Sequence, residues 1–117
     1  MATYTKNFLS QSVNGKAILL TGTTTSTSAT IHVGPTGTTI MDEVWLYVMN
    51  TSTSQVKVTI EYGSASAPND NIIALVNGQV GLFLMVPGLL INNGLKIQAF
   101  AATGSVITIT GYVNRIQ

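Results

Sequence analysis

The chain predicts an all-β fold: a single antiparallel β-sandwich, jelly-roll-like or Greek-key in its connections, with about eight strands. Three observations predict it. No stretch of the 117 residues places its apolar side chains at a helical period. They come instead in runs of period two or in compact blocks rich in Val, Ile and Thr, which suit a pleated surface. Between the runs stand clusters of Gly, Asn, Ser, Thr and Pro, the residues that turn a chain sharply. The length fits one domain, which buries roughly 65% of its unfolded surface without cross-links.

Residues 1–15 are polar and carry no core pattern, so they are expected as an extended amino-terminal arm ahead of a sandwich at 16–117. Tyr4, Lys6, Phe8 and Leu9 are the arm's candidate contacts with a partner. Strands are expected near 16–23, 27–33, 40–50, 55–62, 72–76, 80–86, 95–101 and 105–115. Gly34-Pro35-Thr36-Gly37 is a turn cluster, and Asn50 to Ser54 is a short polar hairpin loop. A longer loop runs from Gly63 to Asn71 through Pro68-Asn69-Asp70. Asn77-Gly78 fits a type I′ turn, because both residues tolerate positive φ. Pro87-Gly88 and Asn93-Gly94 punctuate the last third in the same way.

Alternation then assigns faces. Around residues 43–49, Val44, Leu46 and Val48 point one way, and Glu43, Trp45, Tyr47 and Met49 the other. In the next strand Val56, Val58, Ile60 and Tyr62 are expected inward, with Lys57, Thr59 and Glu61 outward. In the last, Ile107, Ile109 and Val113 oppose Thr108, Thr110 and Tyr112. Two strands are apolar on both faces. Trp45, Tyr47 and Met49 form a row behind the first set, and Phe83 and Met85 another behind Val80, Leu82, Leu84 and Val86. A sandwich has one interior, so these five residues are the candidate oligomer interface, the alternative being that loops or the amino-terminal segment cover them within one monomer.

Composition limits the chemistry. Only 8% of the chain is charged, against about 25% in an average domain. So few charges leave little repulsion to keep a free protein dispersed, which favours a role in assembly. A net charge of +1 with scattered lysines gives no attraction to nucleic acid or an anionic membrane. With no cysteine and the single histidine His32, Cys-His catalysis and a multi-His metal site are excluded. No catalytic residue, metal ligand or cofactor is therefore assigned. His32, between Ile31 and Val33, is expected to face solvent; Asp42 and Glu43 are expected to keep a strand end wet. Pro68-Asn69-Asp70-Asn71 lacks the carboxylate spacing of a calcium loop and reads as a turn. The sequon Asn50-Thr51-Ser52 has no secretory signal before it.

Gly78-Gln79-Val80-Gly81-Leu82, leading to Gly88-Leu89-Leu90-Ile91-Asn92-Asn93-Gly94-Leu95-Lys96-Ile97-Gln98-Ala99, resembles the late strands of small β-sandwich virion proteins of tailed bacteriophages. The Thr-rich pair within 18–33 and the Val-rich hairpin at 44–62 fit the same pattern, so the likeness spans about residues 16–115. Such proteins often show a Gly-Asp turn where this chain has Asn93-Gly94. The resemblance implies a capsid decoration or cement protein, made in the host cytoplasm and seated on the head surface of the virion. It implies a homo-oligomer, a trimer first, whose partner is the major capsid protein or another virion protein. The competing expectation is an adhesion or carbohydrate-binding module of a tail or head fibre, with Trp45 and Tyr47 stacking on sugars.

Overall fold

A computed structural model of the chain describes residues 2–117. It is a sandwich of two antiparallel sheets. In chain order the strands are β1 (Tyr4–Phe8), β2 (Ile18–Leu20), β3 (Ala29–Val33), β4 (Met41–Asn50), β5 (Val56–Gly63), β6 (Asn71–Val76), β7 (Phe83–Ile91), β8 (Lys96–Ala101) and β9 (Ile107–Ile116). A single 3-10 turn at Thr25–Thr27 precedes β3. The first sheet runs β1-β9-β4-β7, with the short β2 also paired to β9; the second runs β3-β8-β5-β6. Val44, Leu46 and Val48 of one sheet and Val58, Ile60 and Ile97 of the other belong to one buried core. The expected alternation in β4 and β9 holds residue by residue.

The amino-terminal segment is an edge strand rather than a free arm. Tyr4 to Phe8 pair with Ile116 to Tyr112 of β9, and Thr3 and Gln117 close the ladder with reciprocal bonds of 2.8 and 2.9 Å. Leu9 then turns into the core, where it is 1% exposed. Burying a leucine this way contributes roughly 1.5–3 kcal/mol, enough to anchor the strand before it. Ser10 continues to the other sheet, its hydroxyl accepting from Val33 N–H at 2.8 Å. Leu9 is thus withdrawn from the set of residues that a partner can reach.

Two irregular strands overturn the faces read from alternation. The β3–β8 register shifts between Thr30 and His32, so Ile31 and His32 both turn inward and Val33 stands opposite Lys96. His32 is therefore buried, not a surface histidine. The β4–β7 register shifts twice, between Val44 and Trp45 and between Leu46 and Tyr47. The strand begins at Phe83 instead of 80, Met85 and Val86 both enter the core, and Leu84 faces out. Pro87-Gly88 lies inside this strand as an irregularity with Gly88 at φ 83°, not as a turn.

The turns follow the sequence in part. Asn93 and Gly94 both have positive φ (58° and 67°), the type I′ signature. At the other expected site the left-handed residues are Gln79 and Gly81. Gly78 serves close approach instead, since a Cβ there would sit 2.6 Å from the Ser52 carbonyl oxygen. Asn50 is buried and shapes its own loop, donating to Ser54 and Val76 carbonyls and accepting from Ser52. Its amide is occupied by those bonds.

Candidate functional site

The outer face of the first sheet gathers residues from both expected contact sets. Directly opposed residues in an antiparallel ladder share a face, so the registers define rows across it. One row is Phe8, Tyr112, Trp45 and Pro87; the next toward the chain ends is Lys6, Asn114, Glu43 and Leu90; the next the other way is Thr110, Tyr47 and Leu84. Tyr4 and Met49 lie at opposite ends of the same face. The Tyr4, Lys6 and Phe8 set and the Trp45, Tyr47 and Met49 set thus form one surface. Phe83 does not join it, because its register partner is the core-facing Val48, and Met85 is 8% exposed inside the core. Alternation alone had no means of locating the extra residue in β7. Leu84, Leu90 and Tyr112 take their places; Leu84 and Tyr112 fall within expected strands, whereas Leu90 lies in the part of the strand beyond Val86 that the sequence reading left out.

The aromatic row is held rigidly. Trp45 and Tyr112 stack with centroids 6.3 Å apart and planes 14° from parallel, worth about 0.5–1.5 kcal/mol beyond area burial. Lys6 Nζ lies 4.9 Å from the centre of the Tyr112 ring. Trp45 Nε1 donates to Glu43 Oε1 at 2.8 Å, and Asn114 Nδ2 donates to the same oxygen at 3.0 Å. Those two bonds hold the Glu43 carboxyl below its ordinary range. Two glycines make the platform possible. A Cβ on Gly88 would lie 3.0 Å from Trp45 Cζ2, and one on Gly111 (φ 152°) would lie 1.9 Å from the Trp45 carbonyl oxygen. A cavity of about 490 Å³ opens beside the row, lined by Lys6, Asn7, Phe8, Gly15, Gly111 and Tyr112.

This surface is apolar, stiff and only lightly charged. Tyr4, Phe8, Leu84 and Leu90 are exposed, while Trp45, Tyr47 and Met49 are half-buried by their neighbours. Such a surface can bury aromatic area against a protein or stack on the face of a ring-shaped ligand.

The second cluster of chemical groups lies inside the sandwich. Asp42 sits at the inward position of β4 and is 0% exposed. Arg115 reaches it from β9, with Nε to Oδ1 at 2.8 Å and a second guanidinium nitrogen to Oδ2 at 3.0 Å. His32 Nε2 lies 2.7 Å from Oδ2, and Ser10 N–H points at His32 Nδ1 over 3.0 Å. A backbone N–H can only donate, so Nδ1 accepts and Nε2 carries the proton toward Asp42. Burial alone raises the Asp42 carboxyl, but the bonds from Arg115 and His32 outweigh it and hold the group below its ordinary value. Burial, with Asp42 adding to it, pushes the Tyr62 phenol up, and its hydroxyl donates to the Leu89 carbonyl at 3.0 Å. Both imidazole nitrogens are engaged. What the network does is tie Ser10, β3, β4 and β9 together.

Sequence reasoning missed this network because its members are scattered along the chain. Two signals were present: Asp42, on the same parity as Val44, Leu46 and Val48 and buried where a wet strand end was expected, and Arg115, at an inward position of the last strand. Comparison with family models, curated proteins and solved structures returns no match for this chain.

Proposed function

We propose that the chain is a structural protein that seats the outer face of its first sheet on a larger assembly, as a decoration or cement protein seats on a virion shell. One observation carries the reading: Phe8, Tyr112, Trp45, Tyr47, Leu84 and Leu90 form a continuous apolar face on a rigid sheet. Aromatic and methionine side chains in such a setting are the types enriched where proteins meet. The low charge of the chain suits a protein whose surface is largely covered in use. Many copies on a repeating shell multiply modest contacts by raising the effective concentration of each. Binding that prefers assembled shell to free subunits stabilises the shell by linkage. In this reading the partner is the major capsid protein or another virion protein, on the head surface.

A second reading rests on the Trp45–Tyr112 stack beside Glu43 and Asn114, a platform with hydrogen-bonding groups at its rim that suits a sugar ring. Purified particles carrying and lacking the protein separate the two. In the decoration reading, stripped particles release their genome at a lower temperature, and Leu90→Lys prevents rebinding. Leu90 is more than half exposed, so that change spares the core. Equal thermal release by stripped and decorated particles, with loss of adsorption to cells, overturns the decoration reading in favour of adhesion.

A further inference from the structure

We infer that two copies of this chain join through β6, edge to edge, to make one sheet that runs across both. A strand at the rim of a sheet leaves a row of N–H and C=O groups without partners, and proteins protect such rims. Protection is visible on every rim but one. β1 carries Lys6; β2 is three residues long; β3 is bulged, with its Val33 N–H taken by the Ser10 hydroxyl; β7 is twice irregular and contains Pro87. β6 has no charge, bulge or proline and is six residues long; at its first residue the Asn71 N–H donates to the Pro68 carbonyl at 3.2 Å. Among the described residues it pairs with β5 alone, in unbroken register from Asn71 to Val76, and its sequence is Asn-Ile-Ile-Ala-Leu-Val. On its outer side Ile73 and Leu75 are 51% and 61% exposed.

The segment is self-complementary. An antiparallel pair about a two-fold axis at Ala74 sets Ile73 opposite Leu75 of the second copy, and Ile72 opposite Val76, on matching faces. β-branched and leucine pairs across strands stabilise a ladder, and a neutral segment meets its own copy without repulsion. Joining two four-stranded sheets this way gives one of eight strands. A single six-residue ladder buries less than the roughly 1,200–2,000 Å² of a standard stable complex. The pairing is therefore reversible and concentration-dependent, and it is a two-fold contact where the resemblance to virion proteins implies a trimer. It uses none of the residues of the aromatic face, so it stands or falls apart from the proposed seat on a shell.

Sedimentation velocity of the full chain over the micromolar to millimolar range tests it. The expected result is a monomer–dimer equilibrium, weakened about tenfold or more in the Ile73→Lys/Leu75→Lys double variant, which sets lysine opposite lysine. Circular dichroism confirms that the variant keeps its fold, as the exposure of both positions predicts. Leu90→Lys, on the other sheet, leaves the equilibrium unchanged. A wild-type chain that stays monomeric throughout overturns the inference. So does a double variant that dimerises like the wild type, or a dimer that Leu90→Lys dissociates.

Discussion

Asp42 and Glu61 are both buried acids on central strands, and their surroundings are opposite. Asp42 faces the interior of the sandwich, where two guanidinium nitrogens and an imidazole fill its oxygens. Glu61 is 1% exposed on the outer side of β5, and its Oε1 accepts no hydrogen bond among the described residues. The Asn71 side-chain oxygen, directly opposite in the ladder, is also buried without a donor. Desolvating a carboxylate costs several kcal/mol unless donors replace the lost water. The first acid is thus part of what holds the two sheets together; the second is a local cost that the rest of the fold carries.

The largest test of this contrast is Asp42→Ala. It strands the Arg115 guanidinium and the His32 Nε2–H beside the core, so urea denaturation should show a loss of about 3–5 kcal/mol. A loss below about 1 kcal/mol would mean that the network is ornamental. Next in size is the response to acid. The folded Asp42 carboxyl titrates below its ordinary value of 3.8, so its contribution is complete above that value and is lost as pH falls through the lower, folded value. Wild type and Asp42→Ala should therefore converge in stability as pH falls through that window. Parallel curves down to the lowest pH would contradict the assignment. Smallest is Glu61→Gln, which replaces a carboxyl whose Oε1 accepts no bond and brings an amide donor to the position opposite Asn71. It should be neutral or stabilise by up to about 1 kcal/mol. A loss beyond about 2 kcal/mol would show that Glu61 has a partner in solution.

The same contrast explains what the sequence made legible. The regular strands were plain, because Val44, Leu46 and Val48, or Ile107, Ile109 and Val113, alternate without interruption. The sandwich class and most turns followed from them. Faces failed where one extra residue enters a strand, at Ile31–His32 and at Met85–Val86, since an insertion of one inverts every position beyond it. Thr59 and Glu61 alternate as expected, yet neighbouring groups cover them, which periodicity does not report. β1 was read as an arm because its inward positions are Thr5 and Asn7, with its apolar side chains turned outward. Of the candidate site, Trp45, Tyr47, Met49, Tyr4, Lys6 and Phe8 share one face, while Leu9, Phe83 and Met85 do not. Assembling Asp42 with His32 and Arg115 needs the fold itself, because no local pattern links residues 32, 42 and 115.

The paired ends of the chain have a mechanical consequence. Thr3 and Gln117 form the last rung of the β1–β9 ladder, so a force drawing the two ends apart acts on one rung at a time. The ladder opens like a zip, each pair yielding before the next is loaded, instead of resisting in shear with all of its bonds at once. Opening stops after Phe8, where Leu9 is lodged between the sheets and must be extracted whole. Tension at the ends is therefore met by a soft run of six residue pairs, Thr3–Gln117 to Phe8–Tyr112, and then a hard stop, which lets the tethered end give way while the sandwich keeps its shape.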